Sequence, residues 1–263
     1  MKRHSVKPPL LRILLACACA CASAGSAAAG EAGPYLSPYL LEMTSIPAGT
    51  FRMGSEIGNK DERPIRDVAV AGFMMGRTEV TVGWYLRCMA DGICEAPSWW
   101  SIGYFEDVQG HTTPAASMAL PITGISWKQA RMFCAWLGPE FSLPTEAEWE
   151  YAAGAGKSQV YSWGDRAEDR FQGAQRPQEP KGLMPVASSP ANALGLFDMG
   201  GGVWEWVLDC YKEDKRTRAC THRVSKGGSW SEHLWNLRVA NRSFGLEDQG
   251  YKGLGFRVVY HAP

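Results

Sequence analysis

Tryptophan constrains this chain more than any other residue type. All eleven tryptophans lie at or beyond position 84, in a chain that also carries 29 glycines and 16 prolines. Glycine and proline interrupt regular elements, so long packed helices are not available to build a core. Indole rings can supply the missing apolar area, because each buries a large surface at one position. The expectation is a loop-rich α+β domain with a few short helices and strands. Trp127, Trp136, Trp149, Trp204 and Trp206 are its large apolar anchors.

The short elements announce themselves by their ends. Thr81 is a helix N-cap and predicts a first helix through Ala90. Ser126 with Gln129, and Thr145 with Glu148, have capping-box spacing. They predict a second helix from Ser126 and a third from Glu146 to about Ala153, stopped by Gly154. Met43 to Phe51 reads as a strand interrupted by Pro47-Ala48-Gly49, and residues 56–66 as a charged surface loop. Asp67 to Met75 alternates as a strand. Residues 91–120 read as an irregular insertion and residues 154–193 as mostly loop. Short strands are expected near Val203–Leu208, Arg223–Gly228 and Phe256–Tyr260. Glu146, Glu148 and Glu150 suit a helix start, where the dipole favours negative charge.

The first 29 residues read as a secretory signal peptide, with a basic start at Lys2, Arg3 and Lys7, an apolar run from Leu10 to Ala24, and Ala27-Ala28-Ala29 as the cleavage region. The run is shorter than the roughly 20 residues a bilayer span needs. Leu14-Leu15-Ala16-Cys17 leaves a lipoprotein form as the alternative. Residues 30–42 read as a linker and 43–263 as one domain, in a periplasmic or secreted protein. Losing Lys2, Arg3, Lys7 and Arg12 leaves 23 basic residues against 27 acidic ones, with no basic block, which argues against nucleic-acid binding. No later stretch is apolar enough to span a membrane. Five cysteines remain after the leader. In an oxidising compartment, Cys88 is expected to pair with Cys94 and Cys210 with Cys220. Cys134 falls on the apolar face of the second helix and reads as a buried, inert thiol.

A series of strings then follows one order along the chain. They are Ile46 to Ser55 (IPAGTFRMGS), Glu79-Val80-Thr81, Pro121 to Leu137 (PITGISWKQARMFCAWL), Leu143 to Ala153 (LPTEAEWEYAA), Gly195 to Met199 (GLFDM), Val203 to Trp206 (VWEW), Lys226 to Trp230 (KGGSW), Leu237-Arg238 and Leu254 to Arg257 (LGFR). This series resembles the formylglycine-generating enzyme, or sulfatase-modifying factor, family, which also includes domains of ergothioneine-synthase and pyoverdine-maturation proteins. The resemblance implies a C-type-lectin-like sulfatase-modifying-factor fold. It also implies a structural calcium ion held by backbone carbonyls of Gly201 and Val203 and by Glu205, hard oxygen donors of the kind calcium takes. Gly202 stands where the family commonly has asparagine. The family's other calcium site has an aspartate after Pro-Val, and here Pro185-Val186 is followed by Ala187. The ligand groove implied by the resemblance is lined or bordered by Trp206, Ser229, Trp230, Trp235, Arg238, Asn241 and Arg242, some of which suit a core equally well.

The chemistry of the namesake does not carry over. Formylglycine-generating enzymes bind copper with two cysteines shortly after the Gly-Gly-Ser motif, and this chain has no cysteine after Cys220. Glu232 and His233 stand where that pair would begin. With Glu247 or Asp248, and His222 nearby, they are the candidate His/carboxylate catalytic site, against the plainer reading of a solvated polar loop. The histidines after the leader are His111, His222, His233 and His261, none at helical ligand spacing to another. Gly200-Gly201-Gly202 lacks a phosphate-binding lysine. Ser229 has no paired base to make it a nucleophile. Two functions follow. One is a maturation or binding factor that holds a peptide, a protein or a small polar ligand. The other is a periplasmic oxidoreductase of the pyoverdine-maturation type acting without the cysteine pair, its redox metal undefined.

Overall fold

The structure, a computed structural model, describes residues 41–97, 118–167 and 182–263. The signal-peptide reading, most of the 30–42 linker, most of the 91–120 insertion and His111 lie outside the described residues.

The three sequence-expected helices form where their caps place them. Thr81 accepts from the Trp84 backbone N–H and starts α1 (Val82–Ala90). Ser126 and Gln129 close a reciprocal capping box at the head of α2 (Trp127–Leu137), and Thr145 and Glu148 do the same for α3 (Glu146–Ala153). Each box satisfies two backbone donors that a helix start leaves open. Gly138, at φ 147°, follows α2 in a conformation that a side chain would resist.

Among the described residues the strands make two four-stranded sheets and a hairpin. In chain order they are β1 (Met43–Ile46), β2 (Gly49–Met53), β3 (Arg66–Val70), β4 (Phe73–Gly76), β5 (Phe141–Ser142), β6 (Trp204–Glu213), β7 (Cys220–Lys226), β8 (Ser243–Leu246), β9 (Leu254–Gly255) and β10 (Val259–Tyr260). One sheet runs β1-β4-β10-β5, the other β8-β7-β6-β9, and β2 pairs with β3. The expected strand Asp67–Met75 is two strands, β3 and β4, which belong to different sheets. The expected strand Phe256–Tyr260 is also divided. β9 closes one sheet, β10 enters the other, and Phe256, Arg257 and Val258 carry the chain between them. Arg257 thus sits at the junction of the two sheets. β6 runs five residues past Leu208, because pairing with β7 continues through register shifts to Glu213, beside the Cys210–Cys220 disulfide.

Two adjoining clusters form the core. In the first, Tyr85 of α1 stacks on Phe133 of α2, which meets Phe256 edge-on. In the second, Trp149 of α3 packs with Phe51, Met75, Val207 and Val224. Trp149 and Trp206 are fully buried, whereas Trp127, Trp136 and Trp204 are half-buried at the edges. The indoles do supply core area, but not equally. Cys88 is joined to Cys94 and Cys210 to Cys220, as expected, and Cys134 is a buried free thiol.

Candidate functional site

β6 begins at a glycine turn, Gly200-Gly201-Gly202, and β7 ends at another, Gly227-Gly228. The Gly201 N–H donates to the Gly227 carbonyl and the Trp230 N–H to the Gly202 carbonyl. These bonds bring two polar groups of side chains together, one buried behind the turns and one at the surface.

The buried group is a charge cluster. Arg257 donates from Nε to Glu205 Oε2 and from Nη2 to Glu205 Oε1, both at 2.7 Å. Its remaining donors reach the carbonyls of Gly76 and Phe197. Trp149 Nε1 adds a third bond to Glu205 Oε2 at 2.7 Å. Glu205 and Arg257 are both fully buried. Two further carboxylates face this pair. Asp198 accepts from the Ala187 and Ser189 N–H groups. Glu79 is buried, and neither of its carboxylate oxygens has a hydrogen-bond partner. Burial pushes the Glu79 carboxyl well above the usual range, and the neighbouring Asp198 charge adds to this. Burial also raises Asp198, against the pull of its two backbone donors.

Three buried carboxylates against one guanidinium leave two negative charges uncompensated when all are ionised. Such a cluster binds a cation or takes up protons. Its donors are oxygens throughout. Among the described residues, no backbone N–H outside the helices and strands donates to the carbonyl oxygens of Gly201 or Val203. Glu79 lies over Gly202, with its Oε1 in the space that a β-carbon there would need. No three His, Cys, Asp or Glu side chains among the described residues form a metal cluster on their own, so an ion here would need the carbonyls too. This set fits a hard divalent cation such as calcium. The resemblance names Gly201, Val203 and Glu205 as the calcium ligands. Glu79 and Asp198 join them only in three dimensions, and Asp198, at φ 55°, takes a left-handed conformation that few non-glycine residues adopt.

The surface group follows Gly228. Ser229 Oγ and Ser231 Oγ lie 3.2 Å apart. Glu232 accepts from Asn236 Nδ2 at 2.7 Å and from Trp204 Nε1 at 3.5 Å. A 3-10 turn, Leu234–Leu237, then presents Leu234 and Trp235, 39% and 49% exposed. The Arg238 guanidinium lies 4.1 Å from the Trp235 ring centroid.

The expected groove is only partly assembled. Trp230 and Trp235 stand at this surface, but Ser229 is buried beneath it and Trp206, Arg238, Asn241 and Arg242 do not line it. Trp206 is fully buried, with Nε1 on the Ile125 carbonyl. Arg238 is locked to buried Glu62 by two bonds of 2.7 and 2.8 Å. Asn241 bonds Asn59 and the Asn236 carbonyl. Arg242 grips Glu146 with Nε and Nη2. Their charge and amide groups are spent inside the fold. Lys226 likewise sits fully buried between Glu146 and Glu150, at 3.5 and 3.1 Å. The carboxylates of α3 are structural, as expected, but through these ion pairs as well as through the helix start.

The His/carboxylate site is not assembled either. His233 is exposed. His222 lies toward the other end of β7, four residues or about 13 Å before Lys226, and its Nδ1 meets Thr221 Oγ1. Glu247 pairs with Arg223 and Lys128, and Asp248 lies in an exposed turn. The only free thiol among the described residues, Cys134, is buried, and desolvation pushes its pKa up to about 12. Iodoacetamide at pH 8 is therefore expected to leave Cys134 of the folded protein unmodified and to alkylate it after denaturation, as read by mass spectrometry. Labelling of Cys134 in the folded protein at the denatured rate would overturn its inert reading.

Residues 33–262 match the family described as sulfatase-modifying factor enzyme 1-like domain. The inactive C-alpha-formylglycine-generating enzyme 2 of Bos taurus is 30% identical, over 83% of this chain and 88% of its own length. The formylglycine-generating enzyme of Thermomonospora curvata is also 30% identical, over 82% and 92%. Among solved structures, PvdO from Pseudomonas aeruginosa superposes with a TM-score of 0.65 at 25% identity, covering 89% of this chain and all of that one. With the glycine turns, the capped helices and the two small sheets in place, the chain belongs to the sulfatase-modifying-factor, or formylglycine-generating-enzyme-like, family.

Proposed function

We propose that this chain is an exported maturation or binding factor that holds a peptide or protein at the surface formed by Trp204, Trp230, Ser231, Glu232 and Trp235, without copper chemistry. One observation carries the reading. Where the family's copper thiols would follow Gly-Gly-Ser, this surface presents Glu232 and exposed Trp235, and the one free thiol among the described residues is Cys134, sealed in the core. Copper(I) needs soft ligands, and the surface offers hydroxyl, carboxylate and indole. Similarity to a bovine protein named as an inactive formylglycine-generating enzyme supports the same reading. A calcium ion held by Glu79, Glu205 and the carbonyls of Gly201 and Val203, with the Asp198 charge nearby, would fix the turn from which β6 leaves. It would thereby hold Trp204 in place at the surface.

The test is oxygen uptake by the purified protein with copper(I) and a cysteine-containing peptide. No uptake is expected, with the peptide thiol intact by mass spectrometry. Conversion of that cysteine to an aldehyde would show that the family's oxidation survives on other ligands. The likeness to PvdO over its whole length favours one second reading, a periplasmic oxidoreductase that does not use the cysteine pair. Stoichiometric iron or copper in the purified protein would favour that reading over the first.

A further inference from the structure

We propose that Glu232 is the anionic anchor of this surface and selects ligands that carry a positive group, a lysine, an arginine or a free amino terminus of a peptide. The inference rests on the peptide-binding reading above and adds the chemistry of the ligand.

Among the described residues, Glu232 differs from every buried glutamate except Glu79. Glu62, Glu146, Glu150 and Glu205 are each matched to a cation, Arg238, Arg242, Lys226 and Arg257. Glu232 has no ion pair among the described residues. Its two oxygens are held instead by neutral donors, Asn236 Nδ2 at 2.7 Å and Trp204 Nε1 at 3.5 Å. Its own N–H donates to the Ser229 carbonyl at 3.0 Å. Side chain and backbone are thus fixed, while the charge is left uncompensated. A carboxylate positioned this way loses little conformational entropy when a ligand arrives.

The neighbours suit a cation rather than a metal. His233 is exposed, and no His, Cys, Asp or Glu cluster among the described residues includes Glu232, so a coordination sphere is not built. Trp204 is half-buried beside the carboxylate, and Trp235, still half-exposed, already stacks with one guanidinium, that of Arg238. Ammonium and guanidinium groups gain from an indole face in addition to a carboxylate. A neutral amide or hydroxyl ligand would use the hydrogen-bonding capacity of Glu232 but not its charge.

The Trp204 indole N–H donates to Glu232 and so reports on it. The experiment follows that indole resonance by nitrogen–proton NMR, assigned with Trp204→Phe. The full-length mature protein is titrated with two capped pentapeptides, Ac-Ala-Ala-Lys-Ala-Ala-amide and the same peptide with norleucine for lysine, and with agmatine. The lysine peptide and agmatine are expected to shift the resonance, at least ten-fold more tightly than the norleucine peptide. The preference is expected to shrink in 0.5 M salt and to vanish in Glu232→Gln. Equal affinity for the two peptides, or a lysine preference that survives Glu232→Gln, overturns the anchor while leaving the peptide surface standing. If none of the three probes binds, the peptide surface fails as well, and the anchor with it. Should Glu232→Gln not fold, the two peptides on the unaltered protein still decide the matter.

Discussion

Replacing Arg257 with methionine is expected to destabilise the fold by about 3–5 kcal/mol, the cost of removing one partner from a buried ion pair. For a domain of this size that corresponds to a fall in Tm of roughly 6–20 °C. Several losses act together. Glu205 keeps only the Trp149 bond, the carbonyls of Gly76 and Phe197 lose the Arg257 donors, and Glu79 and Asp198 lose the cation that lowers their charge repulsion. Methionine fills much of the volume, so the effect is electrostatic and not a cavity. The crossing between the two sheets passes through this residue, so the damage reaches both. Adding Glu205→Gln to Arg257→Met is expected to cost less than the two single changes summed, because the second change removes a charge the first left stranded. The measurement is urea unfolding followed by circular dichroism, in saturating calcium. An Arg257→Met protein within about 1 kcal/mol of the parent would mean the pair is dispensable, contrary to the general behaviour of broken buried pairs.

The sequence made some of this legible and hid the rest for a physical reason. Helix starts and disulfides are local. Thr81, Ser126 with Gln129, and Thr145 with Glu148 each satisfy donors within one turn, and both disulfides join cysteines no more than ten residues apart. The family strings, read in order, gave the fold class. The buried ion pairs are not local. Glu62 meets Arg238 across 176 residues and Lys226 meets Glu150 across 76. A charged residue considered alone reads as surface, which is why Arg238, Asn241 and Arg242 were assigned to a groove when their donors point inward. Trp206 misled in the same way. Trp204 and Trp206 flank Glu205 on one strand, and strand alternation puts both on the face opposite to it, yet Trp204 lies at the rim and Trp206 in the core. Glu79 was hidden by its position in a helix-start string, where an acidic residue needs no further explanation. Its lack of any partner is visible only in three dimensions.

That missing partner gives the second large effect. Calcium at about one hundred times its Kd is expected to stabilise the protein by about 2.7 kcal/mol, a rise in Tm of roughly 5–10 °C over the chelated protein. Magnesium is expected to do less, because it demands a smaller, near-octahedral shell and holds its water more tightly. Glu79→Gln separates a cation site from ordinary packing, because its effect should change sign. In chelator it removes a buried carboxylate with no partner, so the variant should melt at or above the parent. In calcium it removes a ligand and one of the two uncompensated charges, so the variant should gain little and melt below the parent. A purely structural glutamate would move both curves the same way. If calcium leaves the Tm of the parent unchanged, no divalent cation is held there. Glu79 must then be neutralised by a proton, and the turn that positions Trp204 is ordered by the Arg257–Glu205 pair and its hydrogen bonds alone.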